Sequence, residues 1–171
     1  MYKEKRLSLI LFDDEIYGYL DTVKEALTLF KLHLGKIKSL KILKEAYNPF
    51  RGQYRAEALL RSLKEERVDD YLLALTKDDI YVEGLNFVFG LALPYQKLCI
   101  VSLNRLFSED ERLYRERIYK EIVHEIGHLF RLEHCNDRRC IMYFANSILD
   151  VDYRVRGLCK KCLVKLELLT L

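Results

Sequence analysis

The chain has 171 residues, of which 50% are hydrophobic and 32% are charged, and its formal net charge is +3. This length and balance are typical of one globular domain with its own core, and so mild a charge argues against nucleic-acid binding. No run of residues approaches the ~20 apolar side chains that span a bilayer, so no membrane partner is expected.

The apolar pattern predicts alternating strands and helices over the first hundred residues. Residues 7–12 are apolar enough for a buried strand, and acidic residues 13–15 follow, where a signal peptide would need small residues at its cleavage site. A cytoplasmic protein is therefore expected. Helices are predicted over residues 13–34, where apolar side chains recur at steps of four and three, and over residues 53–67. Further strands are predicted over residues 37–46, 71–76, 85–93 and 98–103.

This alternation predicts an α/β fold with a mixed, mostly parallel sheet. The last two strands follow each other without a helix between them, which predicts an antiparallel edge strand. A long helix is then predicted up to about residue 130, because Ser108 and Glu111 form a capping-box pattern and an apolar stripe follows. The last forty residues are short segments punctuated by cysteine, with an apolar piece over residues 163–171.

Three of the four histidines lie within eleven residues at the end of the long helix. His124 and His128 are four residues apart, so they share a helix face and can direct two imidazoles at one metal ion. Glu125 lies beside them, placed to take a proton from a metal-bound water. His134 reaches the same ion if the chain turns back after about residue 130. Three protein ligands and one water make the open arrangement of a catalytic zinc.

A surface helix with solvated side chains is the alternative interpretation of His124-Glu-x-x-His128. The third histidine argues against it, and so do the apolar residues that flank the motif. Together with Met142, eight residues after His134, the pattern resembles the metzincin metalloproteases. The resemblance implies that Met142 lies in a tight turn beneath the zinc, whereas in isolation a methionine is more simply a core filler.

Two residues depart from the metzincin pattern. Arg131 stands where the clan usually has glycine, at a chain reversal that often needs positive φ. Either Arg131 takes on this strain or the turn is built differently, and the position of His134 depends on the answer. Phe144 stands where some metzincins carry a zinc-binding tyrosine, so no tyrosine ligand is expected.

The second candidate site consists of four cysteines. Cys135 and Cys140 have four residues between them, and Cys159 and Cys162 have two. Both spacings suit loops that bring two thiolates to one ion, and four thiolates make a closed structural zinc site. Unpaired thiols or a disulfide are the alternatives, and a reducing compartment favours zinc. Cys99 lies in an apolar strand and is interpreted as an inert core thiol.

The combined pattern resembles the archaemetzincins. It runs from the histidine motif through His134-Cys135 and Cys140-x-Met142 to a later Cys-x-x-Cys, with a Met142-to-Cys159 spacer of sixteen residues, one shorter than the family pattern. Residues 51–54 and 84–90 resemble that family too, so the likeness covers nearly the whole chain.

The resemblance implies a compact metzincin-like α/β fold with a long active-site helix and two Zn²⁺ ions, one catalytic and one structural. Residues 1–171 would form a single metalloprotease domain, with an upper α/β part to about residue 130. The Met-turn and the cysteine-rich zinc site would occupy about residues 131–171.

The implied activity is zinc-dependent hydrolysis of a peptide or protein substrate, with Glu125 as general base. A strand ahead of the active-site helix, over residues 85–93 or 98–103, is expected to pair with the extended substrate. One alternative is an intracellular SprT-like protease, whose third ligand is placed differently. Another is a zinc-stabilised binding protein that is proteolytically latent or very selective. The sequence specifies neither the substrate nor the oligomeric state.

Overall fold

Strands and helices alternate along residues 4–170, the part of the chain that the computed structural model describes. The strands are β1 (Arg6–Leu11), β2 (His33–Ser39), β3 (Tyr47–Asn48), β4 (Gln53–Arg55), β5 (Tyr71–Thr76), β6 (Ile80–Tyr81), β7 (Gly90–Leu93) and β8 (Leu98–Ser102). The α-helices are α1 (Leu20–Thr28), α2 (Ala56–Ser62), α3 (Glu111–Leu129), α4 (Ile148–Tyr153) and α5 (Lys160–Leu169). Within residues 4–170, no helix is both long and apolar enough to cross a membrane.

The main sheet has five strands in the order β2-β1-β5-β8-β7. The first four are mutually parallel, and β7 pairs antiparallel with β8 at the edge. The mostly parallel sheet with an antiparallel edge strand is thereby confirmed. Strands β3, β4 and β6 form a separate small sheet.

Helices cover both faces of the main sheet, so its central strands are apolar on both sides. Along β1, Leu7, Leu9 and Leu11 pack into a cluster with residues of α1 and α3. Ile10 points the other way, into a second cluster with residues of α2. This period of two is what a strand requires, and it places α3 firmly on one face of the sheet.

The predicted helix over residues 13–34 is wrong in extent. A 3₁₀ helix precedes α1, and the chain leaves the helical region at Lys31, whose φ is +54°. Strand β2 then begins at His33, four residues before the predicted strand. Gly35 lies within this strand, where the Asp69 carboxylate occupies the place of a side chain and accepts a hydrogen bond from the Lys36 backbone N–H at 2.9 Å.

Other element boundaries also differ from the predictions: β2 ends at Ser39 and α2 at Ser62, both earlier than expected. The helix predicted from residue 53 begins at 56, after the short strand β4. The N-cap of α3 is Asp110 and not Ser108, because its carboxylate accepts hydrogen bonds from the next free backbone N–H groups. The strand predicted over residues 85–93 is confined to Gly90–Leu93, since residues 82–89 form a loop.

Candidate functional site

The last two turns of α3 form the buried floor of the candidate site. His124 and Glu125 are each only 5% exposed, although both residue types favour water. The helix continues to Leu129, and Phe130 caps it. The predicted end of the helix near residue 130 is therefore confirmed, and with it the common face of His124 and His128.

Arg131 carries the chain reversal with φ = +66°. The Arg131 backbone N–H donates to the His128 carbonyl at 2.9 Å, and the Leu132 N–H donates to the Gly127 carbonyl at 3.0 Å. This pair of hydrogen bonds is a Schellman motif, which normally has glycine at this position. Arg131 thus takes on the strain, and its guanidinium lies 4.0 Å from the centre of the Tyr95 ring.

The reversal returns His134 to the helix. His128 Nε2 lies 3.2 Å from His124 Nε2 and 3.2 Å from His134 Nε2. The three ligand atoms all lie within 4.8 Å of one another, as one metal ion would require. The structure thus brings together the three histidines that the sequence singles out.

The other ring nitrogens explain the orientation of two imidazoles. His124 Nδ1 lies 2.8 Å from the Ile141 carbonyl oxygen, and His128 Nδ1 lies 2.8 Å from that of Leu132. A carbonyl oxygen only accepts, so each Nδ1 carries the proton in the tautomer that satisfies these two contacts. His124 Nδ1 also lies 3.0 Å from Arg154 Nη1, which itself donates to the carbonyls of Ile141 and Tyr143. Each Nε2 is then left with its lone pair facing the centre, as a zinc-binding histidine requires.

Burial keeps these imidazoles neutral. It lowers the pKa of His124 well below the usual value and lowers the pKa of His128 to about 4. The pKa of His134, whose side chain is more exposed than the other two, is also lowered, mainly by partial desolvation. Neutral imidazole is the form that binds a metal ion, so the donor set fits zinc.

Glu125 lies directly against the first residue of the edge strand. A Cβ atom built on Gly90 would lie 2.6 Å from Glu125 Oε1 and 2.7 Å from Glu125 Cγ. Only glycine therefore allows β7 to approach the carboxylate so closely. Burial, and then the charge of Glu121, raise the pKa of Glu125 well above the usual value.

Met142 is fully buried beneath the same helix. Its sulfur occupies the place that a side chain at Gly127 would fill, so the methionine packs against the backbone between His124 and His128. The Met142 carbonyl accepts a hydrogen bond from the Cys135 N–H at 3.0 Å. The Phe144 ring, two residues on, lies 5.0 Å from the His134 ring.

Arg154 is a site residue that the sequence pattern did not reveal. Its side chain is fully buried and forms an ion pair with Glu121, one turn before Glu125 on α3. Its Nη1 donates to the carbonyls of Ile141 (2.9 Å) and Tyr143 (3.2 Å), on either side of the methionine. Arg154 therefore joins α3 to the segment below it. Its burial distinguishes Arg154 from the other basic residues nearby in the sequence, and burial is seen only in the structure.

The four C-terminal cysteines also come together. The sulfur atoms of Cys135, Cys140, Cys159 and Cys162 lie within 4.8 Å of one another, and those of Cys135 and Cys159 are 3.8 Å apart. A disulfide would need about 2.05 Å, so these thiols are free. Backbone N–H groups of Asp137 and Cys159 donate to two of the sulfurs. Four sulfurs so arranged could hold one structural zinc.

Cys99 is separate from this cluster. It is fully buried in β8, and burial raises the pKa of its thiol well above the usual value. These properties agree with the prediction of an inert core thiol.

A cleft of about 620 Å³ opens above the histidines and Glu125. One wall is the edge strand β7 with the loop that precedes it, and the other is the segment from Arg131 to Ala145. Apolar side chains predominate on the β7 wall, the second wall mixes apolar and charged side chains, and the histidines and Glu125 supply polar groups at the base. An apolar cleft with a few convergent polar groups is typical of a substrate site.

The chain is similar to known proteins over most of its length. The model of Peptidase family M54 matches residues 10–168. The archaemetzincin of Methanopyrus kandleri is 40% identical over 162 residues, which cover 92% of this chain and 93% of that protein. The archaemetzincin of Pyrococcus furiosus is 44% identical over 131 residues, covering 71% of this chain and 68% of the other.

Solved structures give the same result. The crystal structure of the Methanopyrus kandleri archaemetzincin has a TM-score of 0.91 and 38% identity, and covers 98% of this chain and 96% of its own. A zinc-dependent peptidase from Methanocorpusculum labreanum has a TM-score of 0.85 and 30% identity, and covers 94% and 99%. The predicted fold class is confirmed, and the chain belongs to peptidase family M54, the archaemetzincins.

Proposed function

We propose that this protein is a zinc metallopeptidase of the metzincin type that hydrolyses bonds in peptides or proteins. Family membership supports a zinc metallopeptidase. The observation that carries the proposal is the convergence of three histidine Nε2 atoms beside the buried carboxyl group of Glu125 in an open cleft.

His124, His128 and His134 would hold the catalytic zinc. A bound zinc ion polarises a substrate carbonyl and lowers the pKa of water. Glu125 acts as general base, taking a proton on its carboxylate and passing it to the departing amine.

Strand β7 is the candidate for binding the substrate backbone. It lies at the edge of the main sheet and lines the cleft, whereas β8 is enclosed between β5 and β7. An extended peptide can add to such an edge through main-chain hydrogen bonds. Of the two strands that the sequence suggests, β7 is therefore the one proposed.

We further propose that the four cysteines hold a second, structural zinc. The free state of all four thiols and the backbone N–H groups directed at two of them support this assignment. On this proposal, residues 1–171 act as one metalloprotease domain, in which about residues 131–171 form the metal-stabilised lower part.

The metzincin arrangement is favoured over the SprT-like one by a single contact. His134 Nε2 lies 3.2 Å from His128 Nε2 after a tight reversal, which is the third-ligand position that the metzincin pattern implies. A latent or very selective binding protein has no comparable observation in its favour.

The test is cleavage of a diverse peptide library by zinc-loaded protein, with the products identified by mass spectrometry. Glu125→Gln is the matched control, since it keeps the side-chain shape against Gly90 but removes the base. Cleavage by the wild type alone, with equal zinc content in both proteins, supports the proposal. Equal cleavage by both, or by neither, contradicts it.

A further inference from the structure

We propose that the loop over residues 82–89 determines the preferred substrate side chain, and that Arg51 is the positioning residue that holds this loop in place. The inference rests on the proposed peptide-binding cleft. The favoured substrate class is peptides with a large apolar side chain near the scissile bond.

The first step concerns what the loop presents to the cleft. Leu85, Phe87 and Phe89 all line it, and the last two rings pack edge to face with centres 5.1 Å apart. Leu85 remains 42% exposed, so it offers apolar surface that no residue among 4–170 covers fully. The loop leads directly into Gly90, the start of β7, so a peptide paired with this strand would run past it. Such a wall selects an apolar side chain.

The second step concerns how the loop is held. Arg51 Nη2 donates to the carbonyl oxygens of Leu85 (2.7 Å) and Asn86 (3.0 Å). The guanidinium lies 4.0 Å from the centre of the Tyr81 ring, which fixes its plane. A planar group that stacks and donates to two acceptors is a task for arginine and not for lysine.

A second residue supports the first. Gln53 is buried, and its Oε1 accepts a hydrogen bond from Arg51 Nε at 2.9 Å. Its Nε2 donates to the Asn86 carbonyl at 2.9 Å and to Asp79 at 3.0 Å. The amide is thus fixed from both ends. Neither Arg51 nor Gln53 lines the cleft, so both act on it only through the loop.

The turn within the loop is also constrained. Gly84 has φ = +87°, a conformation that side chains disfavour. Arg105 pairs with Asp79 through two hydrogen bonds, and its guanidinium lies 4.1 Å from the centre of the Phe87 ring. A wall ordered in advance loses less conformational entropy when a ligand binds.

These contacts give a structural role to the two segments whose sequences resemble the archaemetzincins outside the metal-binding motifs. Residues 51–54 and 84–90 lie thirty positions apart at their nearest ends. The hydrogen bonds from Arg51 and Gln53 join them directly, and neither segment holds a candidate metal ligand. Apart from Gly90, which lies against Glu125, their effect should therefore be on substrate selection and not on zinc binding.

The experiment measures binding, so it does not require hydrolysis. A positional-scanning library of capped octapeptides is captured on zinc-loaded Glu125→Gln protein, and the bound peptides are identified by mass spectrometry. We expect enrichment of Leu, Phe or Tyr over Ala and Ser at one position. Leu85→Ala, which alters a substantially exposed side chain, should reduce this enrichment about tenfold, the scale on which apolar pockets discriminate.

Arg51→Ala, made on the same background, should reduce the enrichment to a similar degree without changing the zinc content. Arg51→Lys keeps the charge but not the planar guanidinium, so it should restore only part of the enrichment. If Arg51→Ala does not fold, Arg51→Lys still tests whether Arg51 holds the loop. Arg61→Ala, an exposed arginine on α2, is the control and should change nothing.

Two results overturn the inference: no position-dependent enrichment, or unchanged enrichment in both Leu85→Ala and the Arg51 variants. Failure of the proposed function is distinguishable from either result. If wild-type protein cleaves nothing while the enrichment persists and depends on Leu85 and Arg51, the peptidase proposal fails and the loop assignment stands.

Discussion

Gly90 and Glu125 are in such close contact that a methyl group added to Gly90 would clash with the carboxylate. A Cβ atom on Gly90 would lie 2.6 Å from Glu125 Oε1, and also 2.7 Å from the Ile100 carbonyl oxygen. The neighbouring backbone cannot yield easily, so the carboxylate or the edge strand must move. The position of the proposed general base therefore depends on the absence of a side chain 35 residues away.

Gly90→Ala should therefore lower kcat/KM by about 100-fold or more, since a displacement near 1 Å at a catalytic group has that effect. Zinc content should remain unchanged, because Gly90 lies against Glu125, which is not among the candidate metal ligands. Steady-state peptide cleavage and metal analysis test this. Gly18→Ala is the matched control, as no atom lies within 4 Å of its added methyl group. Full activity in Gly90→Ala would contradict the prediction.

Removal of Arg154 should strongly destabilise the protein. Arg154→Met leaves the buried Glu121 carboxylate without its partner, which typically costs about 3–5 kcal/mol. The double variant Glu121→Leu/Arg154→Met should recover part of this loss, but not all, since the Ile141 and Tyr143 carbonyls lose their donor. Urea unfolding of the three proteins measures both effects. A single variant as stable as the wild type would refute the role of the pair.

Replacement of Cys159 by serine should remove one zinc ion per chain and lower the melting temperature, because the free energy of binding at a structural site is folding free energy. Metal analysis and a thermal scan are sufficient measurements. Cys99→Ala is the control, since that thiol lies outside the sulfur cluster. Equal zinc content in Cys159→Ser and wild type would exclude the second ion.

Arg131 allows a test of how its strain is offset. Its φ of +66° costs a non-glycine residue roughly 1 kcal/mol, while stacking on an exposed aromatic ring returns about 0.5–1 kcal/mol. Arg131→Gly should therefore change stability little in the wild type. In a Tyr95→Ala background the same change should be stabilising. Equal effects in both backgrounds, measured by denaturant unfolding, would rule out the compensation.

Alkaline pH should reveal the buried hydroxyl of Tyr114. Burial raises its pKa to about 12, so the folded state holds the proton more tightly than the unfolded state, whose pKa is near 10. This contribution to stability is complete below pH 10 and is lost as the pH rises towards 12. Tyr114→Phe should flatten that part of the stability profile, while the exposed Tyr17→Phe should not.

The success of the sequence-based predictions depended on the distance over which each feature is encoded. His124, His128 and Glu125 follow from a spacing of one helical turn, and the four cysteines from two short loops, so local rules were sufficient. Arg154 could not be found in this way, because its partner lies on another element, 33 residues earlier.

The predicted helix over residues 13–34 failed for a related reason. Leu27, Phe30 and Leu34 continue the helical spacing. Leu32 and Leu34 fit the strand period of two equally well, so the spacing of apolar residues alone could not locate the end of the helix. The end is determined by the positive φ of Lys31 and by the hydrogen bond from Lys36 to Asp69, a residue of the distant loop before β5. Tertiary contacts overrode the local pattern.

The peptide bond between His134 and Cys135 has a thermodynamic consequence. If each residue holds a different ion, either ion orders the same short segment. The first ion to bind carries the entropic cost of this ordering, and the second ion binds a segment that is already ordered. Loading of the cysteine site should then tighten loading of the histidine site, and by linkage the reverse holds with the same factor. The two ions would behave as a cooperative pair, and a chelator that strips one would loosen the other.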